Sequence, residues 1–257
     1  MPHLRQSAAD WCFFKPGTDP AAYYRQLAAI GFAGVEMVAP QRIPFARAAG
    51  LSIVNMDSPG KERGLSDPAN HAEVVPGIRA AIDAAKANAI AQVIAFSGNR
   101  AGPDDAAGLR HVVAGLKQVA LYAEKAGVTL TFEMFNTFDH PGYLADSSRF
   151  GFDAVRQVGS PAVKVLFDIY HMHRMGENVL ESLLGNLELV SHIHVAASPK
   201  RDCPRAGGAI DYAKIVRAVH GAGYRGYWGQ EFLPGAEGME ELAGVAREME
   251  EWGNGAH

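Results

Sequence analysis

The strongest constraint on this chain is a rhythm. Short apolar runs alternate with longer segments of helical period along its whole length. Strands are expected at Arg5–Ala9, Gly34–Val38, Ser52–Met56, Gln92–Phe96, Val128–Met134, Val163–Ile169, Leu189–Ala196 and Gly226–Phe232. Between them, helices are expected at 19–30, 41–49, 68–88, 104–126, 146–158, 177–187, 211–221 and 237–252. Asp19-Pro20 and Asp67-Pro68 place a capping aspartate ahead of a first-turn proline. Gly31, Gly50, Gly127 and Gly159 stand where helices should stop. Eight strand–helix pairs in 257 residues have the arithmetic of a single α/β domain, a (β/α)8 TIM barrel. A doubly wound open sheet shares the alternation. However, no GxGxxG follows the first strand, and polar residues recur on one face of the later strands, which suits a closed barrel interior. No linker or shift in composition divides 1–257. The longest loops, expected near 57–67, 97–103, 135–145 and 196–210, all follow strands, on the barrel face where active sites form.

Composition narrows the function classes. Apolar residues at 48% exclude a disordered chain. Lysine and arginine total 24 against 28 acidic residues, a formal charge of −4, which argues against a nucleic-acid partner. No apolar run is long enough to span a membrane. MPHLRQSAADWCFFKPG has no signal-peptide core. Cys12 and Cys203 form neither a CxxC nor a zinc spacing, so a reducing, cytoplasmic setting is expected. The outer helices leave a homo-oligomer open.

Side chains alternate between the faces of a strand. In VTLTFEMF the apolar set should face the helices, leaving Glu133 inward at the C-terminal end. The same reasoning turns Asp168 inward in KVLFDIYH, His192 and His194 in LVSHIHVAA, and Glu231 in GYWGQEFLP. Four consecutive strands thus end in an inward Glu, Asp, His and Glu. Three carboxylates crowded together repel and would force protonation, and a divalent cation removes the conflict. Oxygen-rich ligands with one imidazole suit Mn²⁺ or Mg²⁺, with Co²⁺ or Zn²⁺ as alternatives. His192 lies one pleat deeper and reads as a hydrogen-bonded barrel residue. His171 and His173 follow in the loop DIYHMH.

These motifs resemble the hydroxypyruvate isomerase family, within the xylose-isomerase-like TIM-barrel superfamily. The resemblance runs through QSAADWCF, FSGNR, GLKQVALYAEKAGVTLTFEMFN, FDIYHMH, SHIHVAASPKR and YRGYWGQEFLP, nearly the whole chain. It implies metal ligation by Glu133, Asp168, His194 and Glu231, the four positions that strand alternation selects. It also implies acid/base roles for Glu133 and Glu231, a substrate-oxygen contact for His171, and a substrate-binding loop arginine at Arg201. The expected reaction is metal-dependent isomerisation of a small hydroxy-keto acid, hydroxypyruvate to tartronate semialdehyde, through an enediolate. Arg201 would grip the substrate carboxylate, with Lys200 and Arg100 as weaker candidates. Trp11, Phe14 and Phe96, near strand tips, are candidates to exclude water. The loop AASPKRDCPRAGGAIDY departs from the family pattern: Lys200 replaces a usual glycine, and Asp202-Cys203 follow Arg201. A ketose 3-epimerase, a sugar isomerase or a dehydratase acting on a larger substrate is the alternative. A metal-dependent endonuclease would need histidines at the third and fourth strand tips, and none is present.

Overall fold

The computed structural model describes residues 3–102 and 104–254. Pro103, at the end of the loop expected at 97–103, lies outside them, as do the first two residues of the N-terminal segment. In chain order the elements are β1 (Arg5–Ala9), α1 (Asp10–Phe13), α2 (Pro20–Ile30), β2 (Gly34–Glu36), α3 (Ile43–Ala48), β3 (Ser52–Ile53), β4 (Asn55–Asp57), α4 (His71–Ala87), β5 (Gln92–Phe96) and α5 (Asp105–Ala126). They continue with β6 (Thr129–Glu133), α6 (Ser148–Val158), β7 (Val163–Asp168), α7 (Ile169–Arg174), α8 (Val179–Leu184), β8 (Val190–Val195), α9 (Tyr212–Gly221), β9 (Tyr227–Gln230) and α10 (Gly238–Asn254). Each expected strand has its counterpart, the third divided at Val54 into β3 and β4. Two short helices, α1 and α7, are additions to the sequence reading. DIYHMH, read as a loop, is α7, because a single helical turn and a half shows no period to detect.

The helix ends follow local chemistry. The Asp19 carboxylate accepts from the Ala21 and Ala22 N–H groups at 3.1 and 3.2 Å, with Pro20 in the first turn. Asp67 accepts from Ala69 at 2.9 Å, and Pro68 opens a 3-10 turn that runs into α4. Gly127 and Gly159 close α5 and α6 with φ of 71°, a left-handed conformation that costs a residue with a Cβ about 1 kcal/mol.

Contacts divide the chain into two compact units. The first comprises the chain up to Val54, residues 178–187, and the chain from His192 onward. Its parallel strands run in the order β3-β2-β1-β9-β8. Ser7 lies beside Gly34 on one side and Gly229 on the other, and Gly229 lies beside His194. Gln6 donates from Nε2 to the Ala246 carbonyl of α10 at 2.9 Å, and Gln230 Nε2 meets Met249 Sδ of the same helix. These side chains face the helix layer, so alternation turns Ser7, Gly229 and Glu231 to the opposite face. Trp228, edge-on to Tyr224, is buried with Leu27, Val216, Val219 and Leu242.

The second unit comprises residues 55–177 and 188–191. Its parallel strands run β4-β5-β6-β7, with Phe96 beside Glu133 and Glu133 beside Leu166. Phe167 stacks on Phe152 of α6 with ring centroids 6.1 Å apart, which fixes the helix-facing side of β7. Leu166 and Asp168 therefore share the other face with Glu133. Ile78 and Ile82 of α4 and Val112, Leu116 and Val119 of α5 are sealed from water, each contributing about 1.5–3 kcal/mol. Among the described residues no helix is long and apolar enough to cross a membrane.

Candidate active site

In the first unit, His194 from β8 and Glu231, just beyond β9, are both buried, and His194 Nδ1 lies 2.9 Å from Glu231 Oε2. The other carboxylate oxygen of Glu231 accepts a 2.9 Å hydrogen bond from the indole N–H of Trp11. The Arg201 guanidinium takes the same side chain from the loop after β8. Its Nη2 donates to Glu231 Oε2 and its Nε to the Glu231 carbonyl at 3.1 Å. Burial pushes the Glu231 pKa upward, but the charges of His194 and Arg201 outweigh it and hold this carboxyl well below the usual range. Arg201 has a positive φ of 56°, pinned by Leu233 N–H donating to its carbonyl at 2.6 Å. Its plane also lies over Trp11, 5.4 Å from the ring centroid.

Behind His194 stands Glu36, at the end of β2 and wholly buried. His194 Nε2 lies 2.9 Å from Glu36 Oε2, and His192 Nε2 lies 3.0 Å from the same oxygen. The Ser7 hydroxyl donates to Glu36 Oε1 at 2.6 Å. Burial opposes the charge on Glu36, yet His192 and His194 hold its pKa far below the ordinary carboxylate value.

In the second unit, Glu133 ends β6 and Asp168 ends β7, at 4% and 1% exposure. Asp168 is also the N-cap of α7. Its Oδ1 accepts from the His171 backbone N–H at 3.0 Å, while its Oδ2 lies 3.5 Å from His171 Nε2. His171 is buried, and its Nδ1 accepts from the Asn136 backbone N–H at 3.1 Å. A ring nitrogen that accepts carries no proton, so the neutral His171 bears its N–H on Nε2. Phe135 packs against this imidazole, its centroid 4.9 Å away, and His140 stacks on Phe135 at 4.3 Å.

The remaining sequence candidates divide cleanly. His192 is a buried barrel residue held against Glu36. Arg100 ties Asp105, Asp146 and the Tyr143 carbonyl together, which is loop architecture. Lys200 is exposed. Trp11 is half exposed and anchored on Glu231. Sequence reasoning missed Glu36, Asn136, Ser7 and Gly229. Glu36 was detectable: the alternation that marks Glu133 on β6 marks Glu36 on Gly34–Glu36 as well. Asn136 had no such signal, because the loop after β6 brings both its main-chain N–H and its side-chain amide to His171 Nδ1, at 3.1 and 2.6 Å.

A family model described as xylose isomerase-like TIM barrel matches residues 24–249. The chain belongs to this family. Hydroxypyruvate isomerase of Escherichia coli K12 is 26% identical over 229 residues, 84% of this chain and 88% of that protein. The 2-oxo-tetronate isomerase of Cupriavidus necator is 32% identical over 137 residues, 52% of each chain. The crystal structure of an AP endonuclease, family 2, from Brucella melitensis superposes with a TM-score of 0.85 over 95% of this chain and 98% of that one. At 24% identity that last likeness shows the fold alone. The xylose isomerase-like chain is thus a (β/α)8 barrel, and its curated relatives support an isomerase. Glu133, Asp168, His194 and Glu231 each offer an oxygen or nitrogen donor suited to a metal ion.

Proposed function

We propose that this barrel interconverts hydroxypyruvate and tartronate semialdehyde through an enediolate, with Glu133 and Glu231 as the acid/base pair. We propose further that Glu133, Asp168, His194 and Glu231 hold one divalent cation. The donor set fits such an ion: three carboxylates and one imidazole, none more than 5% exposed. Hard oxygen donors with a single imidazole favour Mn²⁺ or Mg²⁺, with Co²⁺ or Zn²⁺ as alternatives. When bound, the ion supplies positive charge beside the developing enediolate.

The protein's own residues carry the proton. One glutamate removes the C3 hydrogen of hydroxypyruvate, and the other delivers a proton to C2, giving the aldehyde. The hydroxyl proton must cross from the C3 oxygen to the C2 oxygen, and His171, with its N–H on Nε2, has a donor suited to an oxygen there. Arg201 binds the substrate carboxylate. It does so by exchanging its hydrogen bond to Glu231 Oε2, which leaves that oxygen to act as a base. The single observation that carries this reading is Glu231: buried, and oriented by Trp11, His194 and Arg201, whose contacts favour its charged form.

The test is proton NMR of hydroxypyruvate in D₂O with Mg²⁺-loaded, Mn²⁺-loaded and chelator-stripped protein, and Glu231→Gln as control. Metal-dependent appearance of tartronate semialdehyde, or deuterium entering C3, is the expected result, lost in the variant. A second reading, a four-carbon 2-oxo acid as substrate, is favoured by the 2-oxo-tetronate isomerase relative. Exchange confined to four-carbon acids or to neutral ketoses would move the substrate accordingly.

A further inference from the structure

A second cluster of ionisable groups takes no part in the proton transfer: Glu36, His192 and His194, with Ser7 and Gly229 around them. All lie in the first unit. Glu36 belongs to β2 and His194 to β8, separated in the sheet by β1 and β9. A side chain can bridge that gap only if the strands between present little bulk. They do: β1 contributes Ser7 and β9 contributes Gly229, neighbours in register. A Cβ built on Gly229 would fall 2.2 Å from Glu36 Oε1, 2.8 Å from His192 Nε2 and 2.9 Å from the His194 ring. The absent side chain is therefore the space the carboxylate fills. Ser7 then grips Oε1 at 2.6 Å, leaving Oε2 for His194 Nε2 at 2.9 Å.

We infer that Glu36 is a positioning residue for His194: it fixes the imidazole proton on Nε2 and so presents the Nδ1 lone pair, on the Glu231 side, to a divalent cation. Both ring nitrogens face carboxylates, Glu36 at Nε2 and Glu231 at Nδ1, and a carboxylate accepts and does not donate, so the metal-free ring carries a hydrogen on each. A cation bound beside Glu231 takes the place of the Nδ1 hydrogen while Glu36 keeps the one on Nε2, and the ring cannot rotate without breaking that bond. His192 shares the same oxygen and limits its movement from the other side. A partner of this kind behind a ligating histidine sets tautomer and ring orientation together. The inference rests on the reading of His194 as a metal ligand, and the experiment separates the two.

Chelator-stripped protein is titrated with Zn²⁺ in competition with a chromophoric chelator, for the wild type, Glu36→Gln, Ser7→Ala and His194→Ala. Imidazole ¹⁵N shifts of the Zn²⁺-loaded protein are recorded alongside. Expected is a loss of affinity of about 10–100-fold in Glu36→Gln. A smaller loss is expected in Ser7→Ala, which keeps the charge and loosens its grip. In the wild type, His194 shows a protonated Nε2 and a metal-bound Nδ1, and in Glu36→Gln this pattern is broadened or mixed. A purely structural role would lower Tm without moving affinity or shifts, and that outcome overturns the inference. Wild-type affinity in Glu36→Gln and Ser7→Ala, with His194→Ala impaired, overturns it while leaving the metal reading in place. No Zn²⁺ binding by the wild type, or full binding by His194→Ala, removes the metal reading and the inference with it. Should Glu36→Gln fail to fold, Ser7→Ala decides: unchanged affinity and an unchanged His194 spectrum in that variant overturn the inference.

Discussion

The backbone N–H of Asn136 donates to Nδ1 of His171 at 3.1 Å, which leaves the imidazole proton on Nε2. The Asn136 side-chain amide lies 2.6 Å from the same nitrogen, but substituting Asn136 removes only that contact and leaves the main-chain donor, so His171 itself must be changed. His171→Phe keeps the packing against Phe135 and deletes the donor. The proposed substrate contact predicts a fall in kcat of about 10²–10³-fold, with metal affinity unchanged. Isomerase assays paired with metal titration check it. A variant of normal kcat would assign His171 to packing alone.

Arg201 and His194 together hold Glu231 ionised, against the opposing effect of burial. Arg201→Ala removes one of those two charges, so the Glu231 pKa rises. In the proposed mechanism the base form is the active one, so the acid limb of kcat/KM is expected to move to higher pH, read between about pH 4 and 8. KM should rise about 10–100-fold for acid substrates and much less for neutral ketoses, as expected for a lost charged hydrogen bond. Equal effects on both substrate classes would show that Arg201 does not grip a carboxylate.

Asp168 caps α7 and, in the proposed reading, also ligates the cation, two duties that a substitution can separate. Asparagine caps helices as well as aspartate does, so Asp168→Asn should leave α7 and Tm nearly unchanged while weakening metal binding. Asp168→Ala should lose the cap as well, at about 1 kcal/mol, seen as a lower urea midpoint. A variant Asp168→Asn with wild-type metal affinity would take Asp168 out of the ligand set.

Gly229 has no room for a methyl group. Gly229→Ala drives its Cβ to within 2.2 Å of Glu36 Oε1, in a spot closed by both histidines. Relief by moving Glu36 breaks its contacts to His194 and Ser7, so the variant should be destabilised by about 1–3 kcal/mol and lose metal affinity. Chemical denaturation with metal titration measures both effects.

The barrel was legible because its signals are local. Strand alternation has a period of two, so each tip residue's face follows from its near neighbours: Phe167 packs on Phe152 and Asp168 turns away, as KVLFDIYH implies. Capping aspartates and terminal glycines act within a turn, which is why the expected helices 19–30 and 104–126 agree within a residue with α2 and α5. The short helices α1 and α7 escaped because a few residues carry no period. The same alternation argument, carried back to β2, would have found Glu36.

By itself, then, the sequence determined the order of strands and helices and which tip residues turn inward, because backbone geometry sets both over a few residues. Only the tertiary structure decided which groups each tip residue meets. Glu36 and His194 are 158 positions apart, and their 2.9 Å contact exists because register brings Ser7 and Gly229 between them and leaves room for a carboxylate. Arg201 on Glu231 and the tautomer of His171 were settled in the same way. Each depends on where a folded loop or strand places a donor, and no local propensity records that placement.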